Sequence, residues 1–239
     1  MRWLCISDIH GDAAALAAVL ATAERRGYDR LLVAGDLCFP GPEPLEVWRR
    51  LVNARATCVQ GVTDRAIATL DPSQIECSSP RERERVDELV RVREALGDLI
   101  LARLLKLEQK VRIPLPDGGE LLLVHGSPAD PTEPFTHDMS DDDVRALLGD
   151  DPADIIICGG SHVPFDRTVM GVRVVNVGSV GEALSGGGAR HAEATFLEIA
   201  SDIAGSIAQG TARAQPRPLT IGVEQLVIPL EAPAVVLEQ

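Results

Sequence analysis

Cysteine is scarce. The 239-residue chain has five, an odd number with no C-x-x-C spacing, which excludes a disulfide framework. Cys5, Cys58 and Cys158 lie in apolar runs and read as reduced core thiols. Cys38, two residues past Asp36, carries no mark of a nucleophile, so a reducing compartment fits. Long apolar runs are missing as well: none spans a bilayer. Asp8 interrupts the only apolar stretch at the N-terminus, which excludes a secretory signal there. The expectation is a soluble, cytoplasmic protein without a membrane partner. Positive charge is in deficit, with 23 Lys and Arg against 36 Asp and Glu and a formal net charge of -13. A nucleic-acid scaffold needs a basic face, so that class is excluded. A small phosphorylated substrate is compatible with the acidic balance, because a bound cation sets the local field whatever the global sum.

What the chain does have is a series of short apolar runs, each ending in a turn. Trp3-Leu4-Cys5-Ile6 leads into Ser7-Asp8-Ile9-His10-Gly11-Asp12. Asp12 is placed to cap a helix whose apolar positions Leu16, Val19, Leu20 and Ala23 follow helical spacing, with Gly27 as its stop. Leu31 to Ala34 runs into Gly35-Asp36; Pro44 suits a first helical position, and Leu45, Trp48, Leu51 and Val52 make one face. Thr57 to Gln60 runs into Gly61-Val62-Thr63-Asp64, where Asp64 reads as the cap of a helix beginning at Arg65. Residues 80–110 read as two helices divided at Gly97-Asp98, with the charges from Arg81 to Arg85 on a solvated face.

Pro116 to Gly119 is a hairpin turn between Val111-Arg112-Ile113 and the run Leu121 to Val124, which ends in His125-Gly126. Ser140 and Asp143 form an approximate capping box before Val144, Leu147 and Leu148. Ile155 to Cys158 ends in Gly159-Gly160-Ser161-His162, and Val172 to Val175 ends in Asn176-Val177-Gly178-Ser179. Thr195 to Ile199 and Gln225 to Ile228 are strand-like, and the Ala/Gly/Pro-containing stretch between them reads as a loop or poorly ordered excursion. No internal repeat and no boundary stands out within residues 1–200.

Continuous apolar runs imply strands covered on both faces, hence an α/β architecture. In such folds ligands gather beyond the carboxyl ends of the strands. Asp8 with His10, Asp36, His125 and His162 all stand at such ends, and three of the five histidines are among them. A lone D-x-H recurs by chance; this many nitrogen and oxygen donors at equivalent points does not. In extended backbone Asp8 and His10, two apart, leave on the same face, and a carboxylate with imidazoles makes a divalent-metal site.

The ordered set D-x-H, G-D, G-V-T-D, H-G and G-G-S-H resembles the calcineurin-like metallophosphoesterase superfamily, and within it the compact prokaryotic phosphodiesterase-like branch. His125-Gly126-Ser127-Pro128 and Asn176 to Gly181 resemble further turns of that branch. The motifs span residues 3–182. The resemblance implies a single domain over 1–239 with two mixed β-sheets packed as a sandwich, helices outside, and C-terminal strands completing it. It also implies two metals sharing a bridging aspartate, at Asp36. The first takes Asp8, His10, Asp36 and His162; the second takes Asp36, His125, an Asn and a His. The Asn position is Val62 here and the His position is Gly160, so the second site keeps only Asp36 and His125. Asp12, Asp64 and His137 are further donors that could be recruited, while Asp64 and Asn176 read as supporting turn residues.

The resemblance therefore implies a metal-dependent phosphoesterase with one tightly held Mn²⁺, Fe²⁺, Zn²⁺ or Co²⁺ and a weak or absent second ion. Asp36 and His125 are its catalytic candidates, with His125 binding phosphate or supporting the second ion. The general-acid position, His in many family members, is Thr63 here. The substrate is a small phosphomonoester or phosphodiester, in a pocket walled by residues from 64–110 and 128–140. Two rival readings are a non-catalytic interaction module of the same fold and a nucleotide sensor that binds without turnover. Retention of all first-site ligands favours catalysis over a pure scaffold.

Overall fold

The computed structural model describes residues 1–150, 153–184, 189–200 and 220–230. In chain order its elements begin with β1 (Arg2–Ile6), α1 (Ala13–Arg26), β2 (Arg30–Val33), α2 (Pro44–Asn53), β3 (Thr57–Cys58) and α3 (Val62–Thr69). They continue with α4 (Pro80–Leu105), β4 (Lys110–Pro114), β5 (Glu120–Val124), α5 (Asp141–Leu148) and β6 (Ile155–Cys158). The last are β7 (Phe165–Val169), β8 (Val172–Asn176), β9 (His191–Ala200) and β10 (Thr220–Pro229).

The strands make two five-stranded sheets, β10-β9-β1-β2-β3 and β4-β5-β6-β8-β7. Both are mixed: β1, β2 and β3 run parallel, as do β5, β6 and β8, while β9, β4 and β7 pair antiparallel with their neighbours. Side-chain alternation divides each strand between two layers. Trp3, Cys5, Leu32, Leu121, Leu123, Ile155, Ile157 and Val175 meet in the interior between the sheets. Leu4, Ile6, Leu31 and Val33 face outward beneath α1, α2 and α4. Leu122, Val124, Ile156 and Cys158 do the same beneath α5, with Phe135. Both faces of the central strands are thus covered, which is why their sequences show unbroken apolar runs.

The local expectations largely hold. Asp12 caps α1 by accepting from the Ala15 amide at 2.9 Å, Pro44 opens α2, and Ser140 and Asp143 form the capping box of α5. Helix α4 is broken at Gly97 (φ 69°), the division expected there. Other features differ. Helix α3 begins at Val62 behind a Gly61 cap, with Asp64 inside its first turn instead of ahead of it. Strand β7, absent from the sequence reading, is an alternating edge strand joined to β8 through Met170 and Gly171, both at positive φ. Strand β10 is longer than the apolar run suggested, because half-buried Ile221 and Val223 alternate with Gly222 and Glu224. Residues 220–224 therefore belong to a strand; the rest of the expected excursion, 201–219, lies outside the described residues. No helix among the described residues is long and apolar enough to cross a membrane.

Candidate metal centre

The parallel strands of both sheets deliver their following turns to one place. Leaving β1, the chain is laced to the turn after β2: the amides of Asp8, His10 and Gly11 donate to the carbonyls of Gly35, Asp36 and Leu37 at 3.0–3.1 Å. From the other sheet, the Gly160 amide donates to Asp8 Oδ2 at 2.9 Å. Val180 and Gly181 donate to the carbonyls of Ser7 and Asp8, and the Ser179 hydroxyl donates to Asp8 O at 2.9 Å. Close approach explains the glycines. A Cβ on Gly61 would overlap the Asp36 carboxylate and amide, and one on Gly159 would overlap the Ser7 side chain.

Asp8, His10, Asp36 and His162 all have left-handed backbone, with φ of 53°, 50°, 54° and 57°. The extended conformation expected for Asp8 and His10 is not adopted. β1 ends at Ile6, and the two side chains converge because each backbone turns over beyond the strand end. Left-handed non-glycine residues are uncommon and cluster where function holds them; the interloop hydrogen bonds supply that hold.

Two groups of donors result, Asp8–His10–His162 and Asp8–Asp36–His125, with the ligand atoms of each within 4.8 Å of one another. In the first, Nε2 of His162 lies 3.2 Å from both Nε2 of His10 and Oδ1 of Asp8, and Nε2 of His10 lies 3.7 Å from Oδ1. In the second, Nε2 of His125 is 3.6 Å from Asp36 Oδ1. Asp8 is the member common to both groups, and Asp36, for which the resemblance implies the bridging role, lies in the second.

The donor chemistry fits a cation. Nδ1 of His10 lies 2.6 Å from Phe39 O, and Nδ1 of His125 lies 2.7 Å from Ala34 O. A carbonyl only accepts, so both Nδ1 atoms carry hydrogen and donate, and the Nε2 atoms are the ones left to serve as ligands. Asp8 is fully buried, and its Oδ1 receives no hydrogen bond. An unpartnered buried carboxylate oxygen is costly; with the Nε2 atoms of His162 at 3.2 Å and His10 at 3.7 Å, positive charge satisfies it, from a bound cation or a protonated imidazole.

Electrostatics agree. Burial pushes the Asp8 carboxyl up, but the His162 contact and the charges of His125 and His162 outweigh it and hold the carboxyl below its usual value. Burial lowers the imidazoles of His125 and His162, yet neighbouring carboxylates raise both overall: chiefly Asp36 and Asp8 for His125, and Asp8 for His162. The raised imidazoles answer the carboxylates packed against them, and the lowered Asp8 answers the imidazoles.

The remaining sequence candidates divide cleanly. Asp64 Oδ2 accepts from the amides of Asp36 and Gly61, and its Oδ1 from Leu37, all at 2.9 Å. Burial, then the Asp36 charge, raise its carboxyl to about 6. It is a turn residue, as expected. So is Asn176, whose amide donates to Gly159 O and Ser161 Oγ. Asp12 is engaged at the α1 cap and by Arg190, and His137 is exposed. Val62 is 43 % exposed, and Gly160 has a backbone φ of 76°. Thr63 has a buried hydroxyl with no partner, beside an amide that donates to Asp36 Oδ1 at 2.9 Å. Of the expected wall segments, Pro134 borders Gly160, and Arg85 of α4 stacks over the Phe39 ring at 5.2 Å. Glu182, which the sequence reading missed, has Oε2 3.9 Å from His10 Nε2 and 3.8 Å from His162 Nδ1. No metal motif includes it, so only its place after the Asn176 turn could have pointed to it.

The comparisons fall on this fold. A hypothetical protein, PH1004, from Pyrococcus horikoshii OT3 superposes with a TM-score of 0.71 at 20% identity, over 96% of this chain and 88% of that one. A metallophosphoesterase from Sphaerobacter thermophilus gives 0.66 at 22% identity, over 82% of each chain. The phosphoesterase YfcE from E. coli gives 0.50 at 21% identity, over 83% of this chain and 88% of that one. No curated protein is matched by sequence. Residues 1–201 match the calcineurin-like phosphoesterase superfamily domain, and with the two mixed sheets and the strand-end donors in place, the chain belongs to that superfamily.

Proposed function

We propose that the protein is a metal-dependent phosphoesterase acting on a small phosphomonoester or phosphodiester, with one tightly held divalent cation and a weak second position. The observation that carries this reading is the unpartnered Asp8 Oδ1, buried among the His10 and His162 Nε2 atoms at 3.7 and 3.2 Å. Asp8, His10 and His162 would hold the cation, with Asp36 alongside. Imidazole and carboxylate donors without thiolate suit Mn²⁺, Fe²⁺, Zn²⁺ or Co²⁺. When bound, such an ion neutralises phosphate charge and makes a water acidic enough to attack near neutral pH.

The chain's own residues do the rest. Phe39 O and Ala34 O fix the rings of His10 and His125, so each presents Nε2. The Thr63 amide holds the Asp36 carboxylate in place. His125, buried beside Asp36, is positioned to bind a phosphoryl oxygen or to support a second, substrate-dependent ion. Val62 and Gly160 offer no donor side chain there.

The test is metal content per chain after dialysis, together with hydrolysis of an aryl phosphodiester with each candidate ion added back. One retained equivalent and metal-dependent hydrolysis are expected. Two tightly retained equivalents overturn the weak second position. A retained ion without hydrolysis of any phosphoester overturns catalysis in favour of a binding module.

A further inference from the structure

We infer that Glu182 is a positioning residue of the Asp8–His10–His162 group, accepting the Nδ1 hydrogen of His162 so that Nε2 of that ring faces the cation. The inference rests on the metal-dependent reading above. The three site histidines differ in what orients them. His10 and His125 each donate Nδ1–H to a backbone carbonyl. Among the described residues no carbonyl takes that role for His162; the acceptor facing its Nδ1 is Glu182 Oε2, at 3.8 Å. Histidine ligands nearly always pass their second ring hydrogen to a carboxylate, carbonyl or water, which fixes ring and tautomer.

The backbone under Glu182 is set for this task. Its amide donates to Ser179 Oγ at 2.8 Å, and that hydroxyl donates in turn to Asp8 O. The preceding Gly181 amide also donates to Asp8 O, and a Cβ on Gly181 would overlap Ile9 O. Glu182 is therefore fastened to the turn that carries Asp8 and His10. Its side chain, 47 % exposed, has room to close the remaining distance of about 1 Å to hydrogen-bond length. It reaches the ring from solvent, where the other two histidines are held from within.

Zn²⁺ affinity by chelator competition, on wild type, Glu182→Ala, Glu182→Gln and Asp8→Asn, tests the assignment. ¹H–¹⁵N spectra of the imidazoles in the Zn²⁺-loaded proteins accompany it. Glu182→Ala is expected to weaken Zn²⁺ about 10- to 100-fold and to lose the protected Nδ1–H signal of His162. Glu182→Gln, whose side-chain oxygen still accepts, is expected to restore most of both. Affinity and spectrum unchanged in Glu182→Ala overturn the inference and leave the metal site standing. Loss in Glu182→Gln as deep as in Asp8→Asn overturns it in favour of direct ligation by Glu182. Wild type without Zn²⁺ affinity removes the metal-dependent reading itself.

Discussion

The two donor groups share Asp8, occupy one cluster of turns and are held by the same backbone lacing, yet they are unequally equipped. In Asp8–His10–His162, Oδ1 of Asp8 is buried and unpartnered while two Nε2 atoms face it. In Asp8–Asp36–His125, Asp36 Oδ1 already accepts the Thr63 amide, and the neighbouring motif positions are Val62 and Gly160. The contrast teaches where the geometry resides. Helix α3 is placed by Asp64 and Gly61, not by the Val62 side chain, and Gly160 is placed by its own amide on Asp8. Donor side chains at those two positions can therefore be absent while the turns stay put. On the proposed reading, one berth is then sparse beside another that is complete.

The largest expected effect comes from the shared member. Asp8→Asn replaces one carboxylate oxygen by an amide that cannot coordinate, and it touches both groups. Zn²⁺ or Mn²⁺ affinity, read by chelator competition, should fall by more than the roughly 100-fold at which loss of an outer partner tops out. A loss confined to one of two bound equivalents would break the assignment of Asp8 to both groups. The fold should survive, since the left-handed backbone at residue 8 tolerates Asn as readily as Asp.

Asp64→Asn sharpens the comparison from the scaffold side. Asp64 is fully buried and accepts from three amides, two on one oxygen and one on the other. An asparagine must turn its NH₂ toward at least one of those donors, and an unsatisfied buried pair costs about 1–3 kcal/mol. Urea unfolding should show a loss of that order. Metal retained by Asp8–His10–His162 should change far less than hydrolysis, because Asp64 supports the Asp36 turn. Equal losses at the two groups would show that they do not move separately.

Much of this was legible in the sequence, for a physical reason. Strands buried on both faces must be apolar throughout, so β1, β2, β5, β6 and β8 announce themselves. The glycines beside the donors are required by close approach, as at Gly61 and Gly159. What stayed illegible depends on partners far along the chain. Asp64 looks like a local helix cap until its acceptors are seen to serve Asp36 and Leu37, 28 and 27 residues away. His10 and Glu182 are brought together by turns from different sheets. The polar start of β9, with buried His191 and Glu193 alternating with the small Ala192 and Ala194, lacks the apolar pattern that marks a strand.

The mildest expected change is a gain. Val62→Asn with Gly160→His restores the two missing donor types to the sparse berth. Val62 is at the first position of α3 and exposed, so asparagine there disturbs little packing. Gly160 is harder, since its φ of 76° carries a left-handed penalty of about 1–2 kcal/mol for any residue with a Cβ. That Cβ would lie 3.1 Å from Pro134 Cβ, which must give by a few tenths of an ångström. Against this, His162 already adopts a left-handed conformation two residues on, and the new Cβ would stand 3.4 Å from His125 Nε2, close enough for its imidazole to share an ion. The double variant should be modestly less stable to urea and should retain a second metal equivalent after dialysis, with faster Mn²⁺-dependent hydrolysis of an aryl phosphodiester. A folded double variant with an unchanged metal count would mean that the inequality between the groups lies in the backbone after all, and not in these two side chains.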